Sequence, residues 1–269
     1  MSAPCAALVT GGATGIGFAV ARALAGAGYG LTLLGRRQAA LDDASAKLRA
    51  EGADVLTATA DARDARAQAA AFAAHGRRFG RLDVAVLSAG VFRPGSFLDG
   101  EPGDDSWQEM LDVNLKAAMT GVRLAARQMA PGGGGGGGGV IVSIASAAGV
   151  LPLPGAPAYS AAKGGLVHFT RSMAWPLAER GVTIAAVCPQ YVDTSMIMAP
   201  WGVFGLPLLT TARVVAAVQE VIARHESEGP AGRLARRAEL ERGAGCIRLL
   251  LQKGGGTVVD PYAGFVPGQ

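Results

Sequence analysis

A short apolar run, Cys5–Thr10, breaks into Gly11-Gly12-Ala13-Thr14-Gly15-Ile16-Gly17, and a helical pattern follows as far as Gly28. Strand, glycine turn and helix in that order form the opening half of a βαβ unit. The turn brings backbone N–H groups and a helix N-terminus to one spot, an arrangement that suits an anion. Its spacing is G-x-x-x-G-x-G rather than the more familiar G-x-G-x-x-G, so the turn alone is a weak signal. Its place between a strand and a helix gives it weight.

The alternation then repeats. Apolar strands are expected at residues 31–34, 55–60, 82–87, 140–145, 183–188 and 246–251. Helical spacing covers residues 38–50, 65–79, 107–129 (with a bend near Val113-Asn114), 157–179 and 211–225, and a short solvated helix is expected at 231–242. Such βα repeats with apolar strands predict an α/β fold, a doubly wound parallel sheet of about seven strands with helices on both faces. No repeat or linker divides residues 1–269, which read as one domain. The Gly/Pro-rich stretch 254–269 reads as a loose C-terminal tail.

Composition narrows the function classes. Half of the residues are hydrophobic and 17% are charged, enough apolar material for a large core. No apolar run approaches the roughly twenty residues of a spanning helix, so a membrane protein is not expected. The net charge of +4 comes largely from scattered arginines. Around Arg224–Arg242 the acids Glu226, Glu228, Glu239 and Glu241 neutralise much of the basic character, which argues against a nucleic-acid surface. Cys5, Cys188 and Cys246 are far apart in apolar contexts and read as reduced core thiols, not as a metal site. His75, His168 and His225 read as surface or packing residues. Only four residues precede the first apolar run, leaving no room for a leader, so a cytoplasmic location is expected.

The chemistry sits further along. Tyr159 and Lys163 are four apart in the helix expected at 157–179 and so share a face. A phenol titrates near 10, and a fixed cation beside it lowers that value by roughly 1–3 units, into the range useful for acid–base work. A tyrosine with a lysine one turn on is usually only a surface pair, and a lone serine near a strand end usually only shapes a turn. What changes the weighing is the joint spacing of Thr10–Gly17, Asn114, Ser146, Tyr159 and Lys163.

In that set the chain resembles the short-chain dehydrogenase/reductase family, over about residues 5–200. The resemblance implies a Rossmann-type fold, a nicotinamide cofactor, and a catalytic four of Asn114, Ser146, Tyr159 and Lys163. Tyr159 would exchange a proton with a carbonyl or alcohol, with Lys163 lowering its pKa and bonding the nicotinamide ribose. Ser146 would stabilise charge on the substrate oxygen, and Asn114 would hold a water linking Lys163 to solvent. Cofactor contacts are implied for Thr10, Gly11, Gly15, Ile16, Gly17, Asp61, Ala62, Ser88, Ala89, Gly90, Tyr159, Lys163, Pro189, Val192 and Thr194. Two positions depart from the family pattern: Ser88 stands where an Asn is usual, and Gln190 where a Gly is usual.

Gly35 ends the second strand without the acid that bonds the ribose in NAD-specific relatives, and Arg36 and Arg37 follow. A guanidinium fork suits a 2′-phosphate, so NADP(H) is favoured, with NAD(H) as the second choice. Residues 195–210 form an expected substrate lid carrying Met196, Ile197, Met198, Trp201, Val203, Phe204, Leu206, Leu208 and Leu209. No charge lies between Asp193 and Arg213, which points to an apolar ketone or secondary alcohol as substrate. Val150, Leu151 and Leu153 are expected to form the facing wall. The resemblance also implies a homodimer or homotetramer. The reading that competes is a catalytically silent nicotinamide-sensing regulatory protein, which loss of Tyr159 or Lys163 would have favoured.

Gly132–Gly139, eight consecutive glycines, is expected to be a surface loop, because glycine has the most backbone entropy to lose on ordering. It joins a helix to a strand at the end of the sheet away from any site. Deleting most of it should leave activity unchanged. A large fall in activity, with circular dichroism showing an intact fold, would contradict this placement.

Overall fold

The computed structural model describes residues 4–94, 97–98, 100, 103, 106–131, 137–194, 196, 208–235, 247–250 and 258–259. Strands β1 (Ala6–Thr10), β2 (Gly30–Gly35), β3 (Val55–Thr59), β4 (Val84–Leu87), β5 (Gly139–Ile144), β6 (Val182–Pro189), β7 (Ile247–Leu250) and β8 (Val258–Val259) form one sheet. Their order is β3-β2-β1-β4-β5-β6-β7-β8. The first seven pair in parallel and β8 lies antiparallel on β7. Around them run α1 (Gly15–Gly26), α2 (Gln38–Ala50), α3 (Ala65–Phe79), α4 (Ser106–Leu111), α5 (Ala117–Met129), α6 (Pro157–Ala178) and α7 (Thr211–Ala235).

The two-sided burial of a parallel sheet is visible residue by residue. Along β1, Ala7 and Val9 point into one core and Leu8 into the other. Along β4, Val84 and Val86 join the first core, and Ala85 and Leu87 the second. The first core takes Val20 and Leu24 of α1, Leu41 and Leu48 of α2, and Val214 and Val218 of α7. The second takes Phe72 of α3, Val122 and Met129 of α5, and Leu166 and Leu177 of α6. Period two in each strand thus feeds two helical layers.

Several boundaries differ from expectation, each for a local reason. The helix expected over 107–129 is α4 and α5 joined by a π-helical segment, Asp112–Lys116, so the bend at Val113-Asn114 is an inserted residue's worth of backbone. The last residue of the glycine tract, Gly139, is the first residue of β5, packed under Met129 and the Asp83 carbonyl; residues 132–136 lie outside the described residues. The span given as α7 breaks at Gly229, whose φ of +61° and ψ of 177° are not helical, so two helices meet there: the first passes the expected end at His225 and the second takes in the start of the helix expected at 231–242. Within the stretch expected to be a loose tail, Val258–Val259 pairs with Leu249 and Leu250. Cys188 is buried as expected, Cys5 is exposed, and Cys246 lies outside the described residues. Among the described residues, no helix is long and apolar enough to cross a membrane.

His75 of α3 is fully buried between the sheet and the loop before β4. Its Nε2–H donates to the Arg81 carbonyl at 2.9 Å, leaving Nδ1 to accept from the Thr32 hydroxyl at 2.8 Å. Burial pushes its pKa down from 6.5 to about 4, against the Arg81 bond and the Asp83 charge. The folded state therefore resists a proton that the unfolded chain accepts below about pH 6.5. That stability is complete above pH 6.5 and is lost as pH falls towards 4, by about 2–3 kcal/mol at pH 4.5. Urea unfolding of wild type and His75→Gln at pH 7.5 and 4.5 should show a steeper acid loss for wild type. Equal losses would show that His75 is not the group responsible.

Candidate active site

Strand order reverses between β1 and β4, and beyond their carboxyl ends lies a cleft of about 390 Å³, ample for a small ligand. The turn after β1 forms its floor, with Gly11, Gly15, Ile16 and Gly17 on the wall. Gly11 needs its φ of +65° and touches the β4 end so closely that a Cβ would lie 2.9 Å from the Ala89 backbone. Thr14 leads into α1 without a side-chain cap, so the first N–H groups of that helix are left facing the cleft.

Ser88, Ala89 and Gly90 follow β4 along the cleft. What braces them is Thr10, buried beneath: its hydroxyl accepts from the Ser88 and Ala89 N–H groups, both at 3.1 Å. Thr10 is therefore a support behind the wall and not a surface of it, which departs from the expected contact. A second brace is Asn114, buried in the π-helical segment. It accepts from the Val91 N–H at 3.0 Å and donates to the Val91 carbonyl at 2.8 Å. Thr10 and Asn114 thus hold the strand end where Ser88 replaces the usual amide. The Asn114 side chain, expected to hold a water, is engaged with Val91.

The opposite side comes from β5, β6 and α6. Ser146 follows β5 and heads a 3₁₀ turn, Ala147–Gly149, accepting from the Ala148 N–H at 3.2 Å. That turn packs backbone against backbone on α6: a Cβ on Gly149 would lie 2.6 Å from the Lys163 carbonyl oxygen. Helix α6 starts with Pro157 in its first turn, where its missing N–H costs nothing. Tyr159 stands on its cleft-facing side, close enough to Ser146 for that side chain to act on its phenol. Lys163, one turn on and buried, donates from Nζ to the Ile144 carbonyl at 2.8 Å and lies 5.7 Å from the centre of the Tyr159 ring.

The electrostatics differ from expectation. Burial pushes the Tyr159 phenol above its ordinary value, with the Ser146 hydrogen bond opposing and the Cys188 thiol adding to the rise. Burial also pulls Lys163 down to about 8, slightly offset by Cys188. The reason is geometric: the ammonium is directed at a carbonyl and sits over the ring, not at the hydroxyl. Cys188, at the end of β6, is pushed up to about 12 by burial, against the Ser146 backbone bond and the Lys163 charge, so it is an inert thiol at neutral pH.

Pro189, Gln190, Tyr191, Val192 and Thr194 complete the wall after β6. The Thr194 methyl lies over Gly15, and Val192 bridges to Leu209. Of the expected lid, Met196 lines the cleft, whereas Leu209 is a core residue, 2% exposed. Ser195 and residues 197–207 lie outside the described residues. Leu151 and Leu153 line the facing wall as expected; Val150 turns away into the second core. Phe92, which sequence reasoning did not single out, stacks edge-on against Tyr159 with centres 5.0 Å apart. Its only signal was its place just after Gly90.

Arg36, Arg37, Asp61 and Ala62 lie outside the cleft wall, at the carboxyl ends of β2 and β3. Arg37 heads α2. Asp61 forms a forked pair with Arg63, at 2.7 Å and 3.1 Å, which holds its carboxyl below the usual range. Ala62 is buried, its carbonyl accepting from Gln68 at 2.5 Å. Among the described residues no group of His, Cys, Asp and Glu could hold a metal ion.

Fold and cleft together define an α/β protein of dinucleotide-binding architecture. The sequence matches the short chain dehydrogenase family over residues 5–201, and the chain belongs to the short-chain dehydrogenase/reductase family of oxidoreductases. It is 35% identical over 191 residues to the 3-oxoacyl-[acyl-carrier-protein] reductase of a Synechocystis strain, covering 71% of this chain and 75% of that one. It is 34% identical over 234 residues to the cis-4-hydroxycyclohexanecarboxylate dehydrogenase of Sinomonas cyclohexanicum, covering 87% and 85%. Its fold matches a variant of the actinorhodin polyketide ketoreductase with NADPH, at TM-score 0.73, 30% identity, and coverage of 86% and 92%.

Proposed function

We propose that this chain is a cytoplasmic, homo-oligomeric (dimeric or tetrameric) NADP(H)-favouring oxidoreductase that interconverts apolar ketones and secondary alcohols. The observation that carries the reading is the joint seating of Ser146, Tyr159 and Lys163 on the wall of a cleft floored by the glycine turn. The residues fit a dinucleotide: the Gly11 approach leaves no Cβ in the way, and the uncapped start of α1 offers N–H groups to a pyrophosphate.

Gly11, Gly15, Ile16, Gly17, Ala89, Gly90, Pro189, Val192 and Thr194 would hold the cofactor along the cleft, and Arg36 would meet a 2′-phosphate. When bound, the nicotinamide supplies or takes the hydride. The protein's part is the proton. Burial keeps Tyr159 protonated at neutral pH, the state in which it donates to a carbonyl oxygen. Ser146, on the same wall of the cleft, donates to the same oxygen as charge develops. Lys163, held at the cleft by the Ile144 carbonyl, would bond ribose hydroxyls. Among the described residues, Phe92, Leu151, Leu153 and Met196 give the substrate side an apolar lining, which supports an apolar substrate. Relatives named as a 3-oxoacyl reductase and a hydroxycyclohexanecarboxylate dehydrogenase support a carbonyl–alcohol exchange.

The test is reduced-nicotinamide absorbance with a matched panel of apolar ketones, sugars and keto acids. Apolar ketones should give the highest kcat/KM. Tyr159→Phe should lower kcat about a hundredfold or more with cofactor affinity nearly intact, and Lys163→Ala should impair both. A Tyr159→Phe enzyme keeping a tenth of wild-type kcat would refute the acid–base assignment; turnover absent throughout would favour the silent sensing protein.

A further inference from the structure

Three successive strand ends bring arginines to the rim beyond the cleft: Arg36 after β2, Arg63 after β3 and Arg93 after β4. Arg63 is committed to Asp61 through its fork. The other two share one acid, Glu109 of α4. Arg93 Nη2 lies 3.1 Å from Oε2, whereas Arg36 Nη1 lies 3.8 Å from Oε1. The Glu109 side chain is 20% exposed and the two arginines about half exposed. Arg93 therefore anchors the carboxylate, and Arg36 is held loosely at the edge of the pairing distance.

We propose that Glu109 is a specificity-determining residue for the cofactor: its carboxylate competes with the 2′-phosphate for Arg36. The inference rests on Arg36 being the phosphate's partner, as proposed above. An arriving phosphate must take Arg36 from Glu109 and then lie beside a carboxylate that Arg93 keeps from swinging away. Both effects penalise NADP(H) and leave NAD(H), which has a hydroxyl there, nearly untouched. The chain's preference for the phosphorylated cofactor is thus smaller than Arg36 alone would give. Glu109→Gln keeps the side chain's shape and can still accept from Arg93, while the charge is gone.

Fluorescence titration of the full-length protein with NADPH and NADH would test this in wild type, Glu109→Gln, Arg36→Ala and the double variant. Glu109→Gln should tighten NADPH about three- to tenfold and move NADH less than twofold, as expected for a partly exposed ion pair plus a nearby like charge. In the Arg36→Ala background the gain should shrink to the smaller part that the like charge alone contributes, because Glu109 would have no guanidinium to withhold. Arg93→Gln, which leaves Glu109 to Arg36 alone, should shift the NADPH/NADH affinity ratio the opposite way. If Glu109→Gln leaves the ratio unchanged while Arg36→Ala collapses it, the proposal fails and the cofactor reading stands. A gain that persists undiminished without Arg36 also overturns it. If Arg36→Ala leaves the ratio unchanged, the reading of Arg36 itself fails, and the proposal with it.

Discussion

The Thr10 hydroxyl occupies the point at which the sheet reverses its order. β1 and β4 are neighbours, yet their helices leave towards opposite faces, so the backbone ladder ends at Ser88, whose N–H still reaches the Thr10 carbonyl at 3.2 Å. A buried, unpaired N–H costs on the order of 1–3 kcal/mol. One hydroxyl accepts from two N–H groups there, at Ser88 and Ala89. The cleft exists because the chains part there, and it keeps its shape because that parting is hydrogen-bonded. Asn114 does the same one step further out, for Val91. The glycine turn on one side and the Ser146 turn on the other then face each other across a fixed gap.

Much of this was legible in the residues. Short apolar runs alternating with stretches of helical spacing predicted a doubly wound sheet, and the i,i+4 relation of Tyr159 and Lys163 does bring both to the cleft. The misreadings have a common cause, since spacing tells which residues meet but not which of their atoms face inward. Thr10 lies in the cofactor turn by position yet points beneath it. Leu209 belongs to the apolar stretch that reads as a lid, and its pairing to Val192 puts it in the core. The expected effect of Lys163 on Tyr159 assumed an ammonium aimed at the hydroxyl. The Ile144 carbonyl, a partner 19 residues back along the chain, competes for it, and no local pattern announces that bond. Phe92 could not be seen for the same reason, because its partner Tyr159 comes from a helix far along the chain.

The charges follow a similar division. Around the cleft floor there are almost none: Lys163 is the buried cation there, and its neighbours are a carbonyl, a ring and a neutral thiol. At the rim, arginines and acids from β2, β3, β4 and α4 pair among themselves, as Asp61 with Arg63 and Glu109 with Arg36 and Arg93. A low-dielectric interior strengthens the few polar bonds inside, whereas the rim pairs remain exchangeable because water screens them. Chemistry and recognition are thereby set in two different electrostatic climates.

The contact between Gly149 and the Lys163 carbonyl has a consequence for motion. A 3₁₀ turn touching a helix backbone to backbone has no side chain between the two that could hop rotamers and let them slide. Ser146, Tyr159 and Lys163 therefore belong to one mechanical unit, although they come from two elements. A displacement of the cleft's surroundings therefore reaches the three polar groups as a common shift. Their mutual spacing behaves like a gauge block, passed unchanged through movements that open or close everything around it.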